Sequence, residues 1–438
     1  MKVLFASVPA DGHFYPLTRI AVGLRDRGHE IGWYAGPRYA AKVESLGLPV
    51  HPYRRATEVM AEEINDLYPE RAKLRGPKRL SFDVEKFFIA NVEHNYLDIR
   101  DLRHSFPFDI LLCDGAFYAE RLVHHALGVP VMAVALSTVL PSPEGPPPFF
   151  GLRPARNPLD RLVHSVVRKM VASTNKAAVT AYNAVLARYG VPPISADGFP
   201  DQPVRELTRI FLNASPGLEF PSYRPPAGAE WVGPLLPARR DSARRPHNLP
   251  GNITDAKRKV VAVSQGTVDK TDTSKLIEPT LAALRDGPYV VVATTGGSRT
   301  EELRTRYSAP NVVIEDFIDY DVLFPHVDLF VTNGGYGSIL EAMCHGVPVV
   351  SAGTREGKND NNARIQHNRL GIDLRTERPK ARQVAAAVTK ALTDPAIRRK
   401  VDRLRDELAS YEPVTIIERA LLDLASAPPR GGRGVGVT

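Results

Sequence analysis

Two cysteines in 438 residues, Cys113 and Cys344, are too few for a disulfide framework or a cysteine-built zinc site, and they suit a reducing cytoplasm. No apolar stretch approaches the length that spans a bilayer, so no membrane span is expected. The opening "MKVLFASV" lacks a charged leader, a long apolar core and a cleavage site, which argues against a secretory signal. No repeat recurs at a solenoid period. Neither a GxGxxG fingerprint nor a GxxxxGK[ST] loop is present, which weakens dinucleotide and P-loop readings. Histidines and carboxylates do not cluster at metal-ligand spacing, so no metal is expected. Basic residues outnumber acidic ones by 57 to 49, yet they are scattered apart from runs such as "ARRDSARR" (238–245). Without an aromatic-interleaved basic stripe, a nucleic-acid partner is not expected.

What is present is rhythm. "KVLFASV", "HEIGWYA", "FDILLCD" and "PVMAVAL" alternate with helical patterns in the first half. The second half repeats the scheme with "KVVAVSQ", "YVVVATT", "NVVIEDF", "LFVTN" and "PVVSAG". Near-continuous apolar strands separated by helices predict α/β domains whose parallel sheets are covered on both faces. In the first helix Leu17, Ile20, Ala21 and Leu24 share one stripe, and Gly28 closes it. The series is interrupted by a proline-rich stretch in which "AEWVGPLL" reads as one last strand. The expected organisation is an N-terminal domain over 1–236, a linker over 237–256 and a C-terminal domain over 257–410. A helix over 411–427 packs back on the first domain, and a disordered tail fills 428–438. Two doubly wound Rossmann-like domains would then face a central cleft. Insertions over 53–108 and 141–158 line a ligand site or cover a sheet edge.

In such sheets ligands sit at the carboxyl ends of strands, so the residues there carry the chemistry. "TNGGYGS" (332–338) places Asn333, Gly334, Gly335, Tyr336, Gly337 and Ser338 between a strand and a helix. Glycines admit close backbone approach, and a helix N-terminus offers free amides to an anion. At the end of the first strand "VPADGHFYPL" sets His13 beside Gly12 and Asp11. Histidine titrates near neutrality and suits a general base, provided a carboxylate orients it. Asp114, ending "FDILLCD", is the expected partner; Asp11 shapes the turn or caps the helix. His124 and His125 read as packing or surface residues.

The segment "TNGGYGSILEAMCHGVPVVSAGTREGKNDNNARIQHNRLGIDL" resembles the signature of inverting GT-B glycosyltransferases, the nucleotide-sugar-dependent superfamily of UDP-glucuronosyl/glucosyltransferases and antibiotic glycosyltransferases. The resemblance runs from "GHFYPL" to the last helices and is most specific over 317–371. It implies a GT-B fold and a UDP- or dTDP-sugar donor. Asn333 stands where the family carries a phosphate-binding histidine, and Ser338 where it carries a phosphate-contacting serine. Glu341 matches a glutamate that accepts from ribose hydroxyls, Phe317 and Ile318 fall where the base packs, and Thr267 follows the turn near the diphosphate. Where many members read the donor sugar with an Asp-Gln pair, this chain has Gly357 and Lys358, with Glu356 and Asp360 close by.

The resemblance also places a His–Asp dyad at His13 and Asp114. The expected reaction is metal-independent hexosyl transfer from a nucleoside-diphosphate sugar to a hydroxyl, with inversion at the anomeric carbon. Phe87, Phe88, Phe117, Tyr118, Phe149 and Phe150 are the aromatics expected to meet a hydrophobic small-molecule acceptor. The expected assembly is a monomer or homodimer. Two other readings stay open: a nucleotide-sugar epimerase of the same fold, and a catalytically silent nucleotide-sugar-binding auxiliary protein.

Overall fold

The computed structural model describes residues 1–60, 64–135, 145–196, 207–238, 249, 251–254, 257–266 and 271–426. Two wholly parallel sheets organise it. The first comprises β1 (Lys2–Ala6), β2 (Glu30–Ala35), β3 (Val50–Pro52), β4 (Ile110–Asp114), β5 (Val131–Ala135), β6 (Arg209–Leu212) and β7 (Ala229–Trp231) in the order β3-β2-β1-β4-β5-β6-β7. The second comprises β8 (Val260–Ser264), β9 (Val290–Thr294), β10 (Val312–Glu315), β11 (Leu329–Thr332), β12 (Val349–Ser351) and β13 (Gly371–Asp373) in the order β10-β9-β8-β11-β12-β13. In both, the chain reverses its direction of winding at the central strand, and this opens a crevice at the carboxyl ends.

The first sheet shows why its strands read as continuous apolar runs. Leu4, Ala6, Leu111, Cys113 and Ala133 join the core on one face, while Val3, Phe5, Ile110, Leu112 and Met132 join the core on the other. Alternate side chains point to opposite faces, so a sheet covered on both sides needs apolar residues at every position. The predicted stripe of α1 (Asp11–Asp26) is fully buried at Leu17, Ile20, Ala21 and Leu24. Its end is a Schellman-type turn in which Gly28 adopts φ +90°, with the Gly28 amide on Arg25 and the His29 amide on Leu24.

The C-terminal helix Pro413–Ser426 crosses back to α1 and supplies Ile417, Ala420 and Leu421 to the same core as the α1 stripe. Gly23 permits the approach, because a Cβ there would lie 2.7 Å from Val414 Cγ2. Arg27 Nη1 donates to Glu418 Oε2 at 2.7 Å alongside. β3, β6 and β13 are strands that the sequence pattern did not single out.

Candidate active site

β1 and β4 are hydrogen-bonded neighbours with Ala6 opposite Cys113. That register carries the residues after β1 past the end of β4, where Asp114 stands. Asp114 is wholly buried, and three donors surround its carboxylate. Val8 N–H donates to Oδ2 at 2.7 Å, and Ala116 N–H donates to Oδ1 at 2.8 Å. His13 Nδ1 lies 2.9 Å from Oδ1, while its side chain stays 31% exposed. An Nδ1–H given to Asp114 leaves Nε2 as the acceptor nitrogen. Burial alone pulls the imidazole pKa down, but the Asp114 charge and hydrogen bond more than offset it, so the net shift is upward. Asp11 is engaged elsewhere: its Oδ1 accepts from Lys42 Nζ at 2.7 Å and from Tyr39 Oη at 3.1 Å, tying α1 to α2 (Pro37–Glu44). It does not cap α1, whose N-cap is Ala10.

In the second domain β11 runs into the glycine turn and the helix Tyr336–Cys344. Gly334 has φ +92°, and a Cβ there would overlap the Asn362 amide, so this position demands glycine. Asn361 Nδ2 donates to the Gly334 carbonyl at 2.9 Å and Asn362 Nδ2 to the Gly353 carbonyl at 3.0 Å. The turn is thereby stitched to the helix Lys358–His367. Glu341, one turn into its own helix, is a carboxyl pushed up to about 8 by burial and by the charges of Asp321 and Asp319. Phe317 is 52% exposed beside Gly297, whereas Ile318 packs in the core. Among the described residues no cluster of His, Cys, Asp and Glu is arranged to hold a metal ion.

A cleft opens beside the dyad. Its walls include Val8 and Ala116, the two residues whose amides hold Asp114, together with Tyr53, Phe87, Phe88, Phe117 and Tyr118. Thr57, Asn91 and Asn95 add a polar side. Asn91 clamps Thr57 through both its carbonyl and amide, at 3.0 and 2.7 Å. Asn95 Oδ1 accepts from the buried Tyr34 hydroxyl at 3.1 Å.

The sequence model of the family described as erythromycin biosynthesis protein CIII-like, C-terminal domain, matches residues 280–424. The 4'-demethylrebeccamycin synthase of Lentzea aerocolonigenes is 33% identical over 416 residues, covering 94% of this chain and 97% of that protein. The chain belongs to the GT-B glycosyltransferases of antibiotic and UDP-glycosyltransferase type. UDP-glycosyltransferase 2 of Phaeomoniella chlamydospora is 27% identical over 448 residues, 97% of this chain and 96% of its own. In fold, the calicheamicin glycosyltransferase CalG4 superposes with a TM-score of 0.73 at 20% identity, covering 98% and 99% of the two chains. SnogD of Streptomyces nogalater superposes with a TM-score of 0.69 at 21% identity, covering 97% and 100%.

Several expected contacts of this glycosyltransferase fall elsewhere. Phe149 and Phe150 stand outside the aromatic cleft, in a loop that bridges the domains. Asp360 Oδ1 accepts from Gly151 N–H at 2.7 Å, Oδ2 accepts from Phe149 N–H, and Asn359 Nδ2 donates to the Phe149 carbonyl at 2.8 Å. Asp360 thus holds the loop through both carboxylate oxygens. The Tyr336 ring turns to the other domain, its hydroxyl donating to the Asn213 carbonyl at 2.7 Å, so only its backbone serves the turn. Asn333 spends its amide on the Gln265 carbonyl, and its Oδ1 accepts from Gly335 N–H at 3.3 Å. Gly12 lies in the first turn of α1 with open space where a Cβ would stand, so the protein itself places no steric demand on it. Ser338 Oγ donates to the Gly335 carbonyl at 3.1 Å. Gly357 caps its helix at φ +76° and has no side chain to read a hydroxyl. Thr267 lies outside the described residues, as do most of 237–256 and all of 428–438.

Sequence reasoning missed the buried pair that joins the domains. Arg364 Nε lies 2.8 Å from both Glu219 carboxylate oxygens, and its guanidinium covers the Phe220 ring at 4.6 Å. Asn368 Nδ2 donates to the Leu218 and Glu219 carbonyls beside it. The partners are 145 positions apart, and nothing local in the sequence marks either.

Proposed function

We propose that this glycosyltransferase moves a hexose from a UDP- or dTDP-sugar to a hydroxyl of a planar, hydrophobic natural product or phenol, with inversion and without a metal. The observation that carries the reading is the His13–Asp114 pair at the edge of an aromatic cleft. A hydroxyl is a poor nucleophile at neutral pH, and a neutral imidazole backed by a carboxylate takes its proton as the C–O bond forms. His13 Nε2 receives the acceptor proton, and the oxygen attacks the anomeric carbon from the face opposite the nucleotide. The C–O bond to the diphosphate breaks, and the nucleoside diphosphate leaves toward the glycine turn. There the first amides of helix Tyr336–Cys344 point their dipole end at the departing charge, which removes the need for a metal. An α-linked donor thus yields a β-glycoside.

The acceptor enters between Phe87, Phe88, Phe117 and Tyr118, whose rings suit a flat aglycone, with the Asn95 amide to meet its polar edge. Glu341 and the exposed Phe317 face the nucleoside, the carboxyl for ribose hydroxyls and the ring for the base. Relatives named as a demethylrebeccamycin synthase and as UDP-glucosyltransferases support both substrate classes. Mass spectrometry of reactions from a panel of UDP- and dTDP-sugars, with and without planar phenolic and polyketide acceptors, tests the assignment. A hexosyl mass increment on an acceptor, unchanged by EDTA, supports it. Loss of the sugar 2-configuration without acceptor, read by proton NMR of the donor because epimers share one mass, points instead to epimerisation, and binding with no product to an auxiliary role.

A further inference from the structure

The diphosphate half of the donor site poses a charge problem. A departing nucleoside diphosphate gains negative charge, yet position 333, at the entrance to the turn, is a neutral asparagine. The Asn333 amide is moreover engaged, one of its two N–H groups donating to the Gln265 carbonyl, and it carries no charge.

A cation stands next to it. Gly353 packs so closely on the Asn333 carbonyl that a Cβ at 353 would overlap it, and the same Cβ would touch Lys358 Cδ at 3.4 Å. The aliphatic stem of Lys358 therefore lies against Gly353, the residue that abuts the Asn333 carbonyl. Its side chain is only 13% exposed, and its Nζ pairs with Glu356 Oε2 at 2.9 Å. Glu356 is itself 57% exposed and held at φ +56°, on the loop that leads into the helix. The base of Lys358 is rigid, because Asn361 and Asn362 of the same helix bind the Gly334 and Gly353 carbonyls. One helix thus holds the turn and presents an ammonium beside it.

We infer that Lys358 is the diphosphate-charge residue of this enzyme: it exchanges Glu356 for a donor phosphate oxygen and replaces the charge that Asn333 lacks. The inference rests on reading the glycine turn as the diphosphate site, and it moves Lys358 from the sugar hydroxyls to the phosphates. An ammonium is a compact point charge with three donors, suited to phosphate, whereas a sugar hydroxyl gains little from a full charge. Glu356 acts as the resting counter-ion and competes with the phosphate.

Calorimetric titration of UDP and dTDP, against uridine and thymidine, into wild type, Lys358→Met, Lys358→Arg and Glu356→Gln tests this, with melting curves to verify folding. Lys358→Met is expected to weaken diphosphate binding about ten- to a hundredfold, the scale of one hydrogen bond to a charged group. Nucleoside binding stays within about twofold, and the salt dependence of diphosphate binding flattens. Lys358→Arg restores most of the affinity, and Glu356→Gln, which removes the competing carboxylate, tightens it. If Lys358→Met binds UDP and dTDP like wild type, or loses nucleoside and diphosphate equally, the inference is overturned while the donor-site reading stands. If wild type binds neither diphosphate, the donor-site reading itself fails.

Discussion

Asp114 holds His13 at 2.9 Å from behind, while the amides of Val8 and Ala116 hold Asp114. The carboxylate is fixed by backbone on both oxygens, so the imidazole inherits a single orientation from the β1–β4 register. Because the His13 pKa is raised, the neutral base forms only above the ordinary imidazole range of 6.5. The acidic limb of kcat/KM should lie above that value, with activity falling as pH drops through it. Asp114→Asn removes the carboxylate charge, the larger of the two upward contributions, so the limb moves to lower pH while kcat falls by about a hundredfold or more. A limb that stays in place in Asp114→Asn would show that another group titrates.

Glu341 carries a different signature. Its folded value of about 8 stands above the ordinary 4.5, so folding takes up a proton between those limits. Stability from this group is fully present at low pH and is lost as pH rises toward the folded value. Glu341→Gln abolishes that dependence. Its melting temperature should exceed the wild type's by a margin that widens from about pH 5 to about pH 8. Equal melting curves at the alkaline end would mean that the carboxyl is compensated in the folded chain.

The Arg364–Glu219 pair ties the donor-side helix to the loop after β6. Arg364→Met strands a buried carboxylate and should lower stability by about 3–5 kcal/mol in denaturant titration. Adding Glu219→Gln should recover much of that loss, because no charge is then left unpaired. A double variant as unstable as the single one would assign the effect to packing against Phe220.

In the aromatic cleft, Phe87→Ala should raise the acceptor KM about tenfold, the scale of one ring's buried surface. UDP or dTDP affinity should stay unchanged. A parallel loss of donor affinity would place Phe87 in the wrong half of the site.

The fold was legible wherever burial on both faces made a strand continuously apolar, as in "KVLFASV" and "YVVVATT". The edge strands β3 (VHP) and β13 (GID) were not, since neither offers the apolar run that marks the equally short β12 (VVS). His13 and Asp114 were placed correctly relative to each other because the central order of a doubly wound sheet makes β1 and β4 neighbours. Side-chain direction was harder to read. Asn333, Tyr336 and Asp360 occupy the expected segment, but each bonds through its side chain to the backbone of another loop or of the other domain. Such long-range hydrogen bonds have no local pattern to betray them. Phe149 shows the same limit: an aromatic in a proline-rich insertion looks like a ligand contact, yet its backbone serves as an interdomain tie.

The most direct test is the turnover of His13→Ala beside wild type, at saturating donor, on an alcohol acceptor found by the product screen. The account predicts that kcat falls by about a hundredfold to ten-thousandfold while the donor dissociation constant is unchanged. A variant that keeps wild-type turnover on that acceptor would contradict the assignment of His13 as the base.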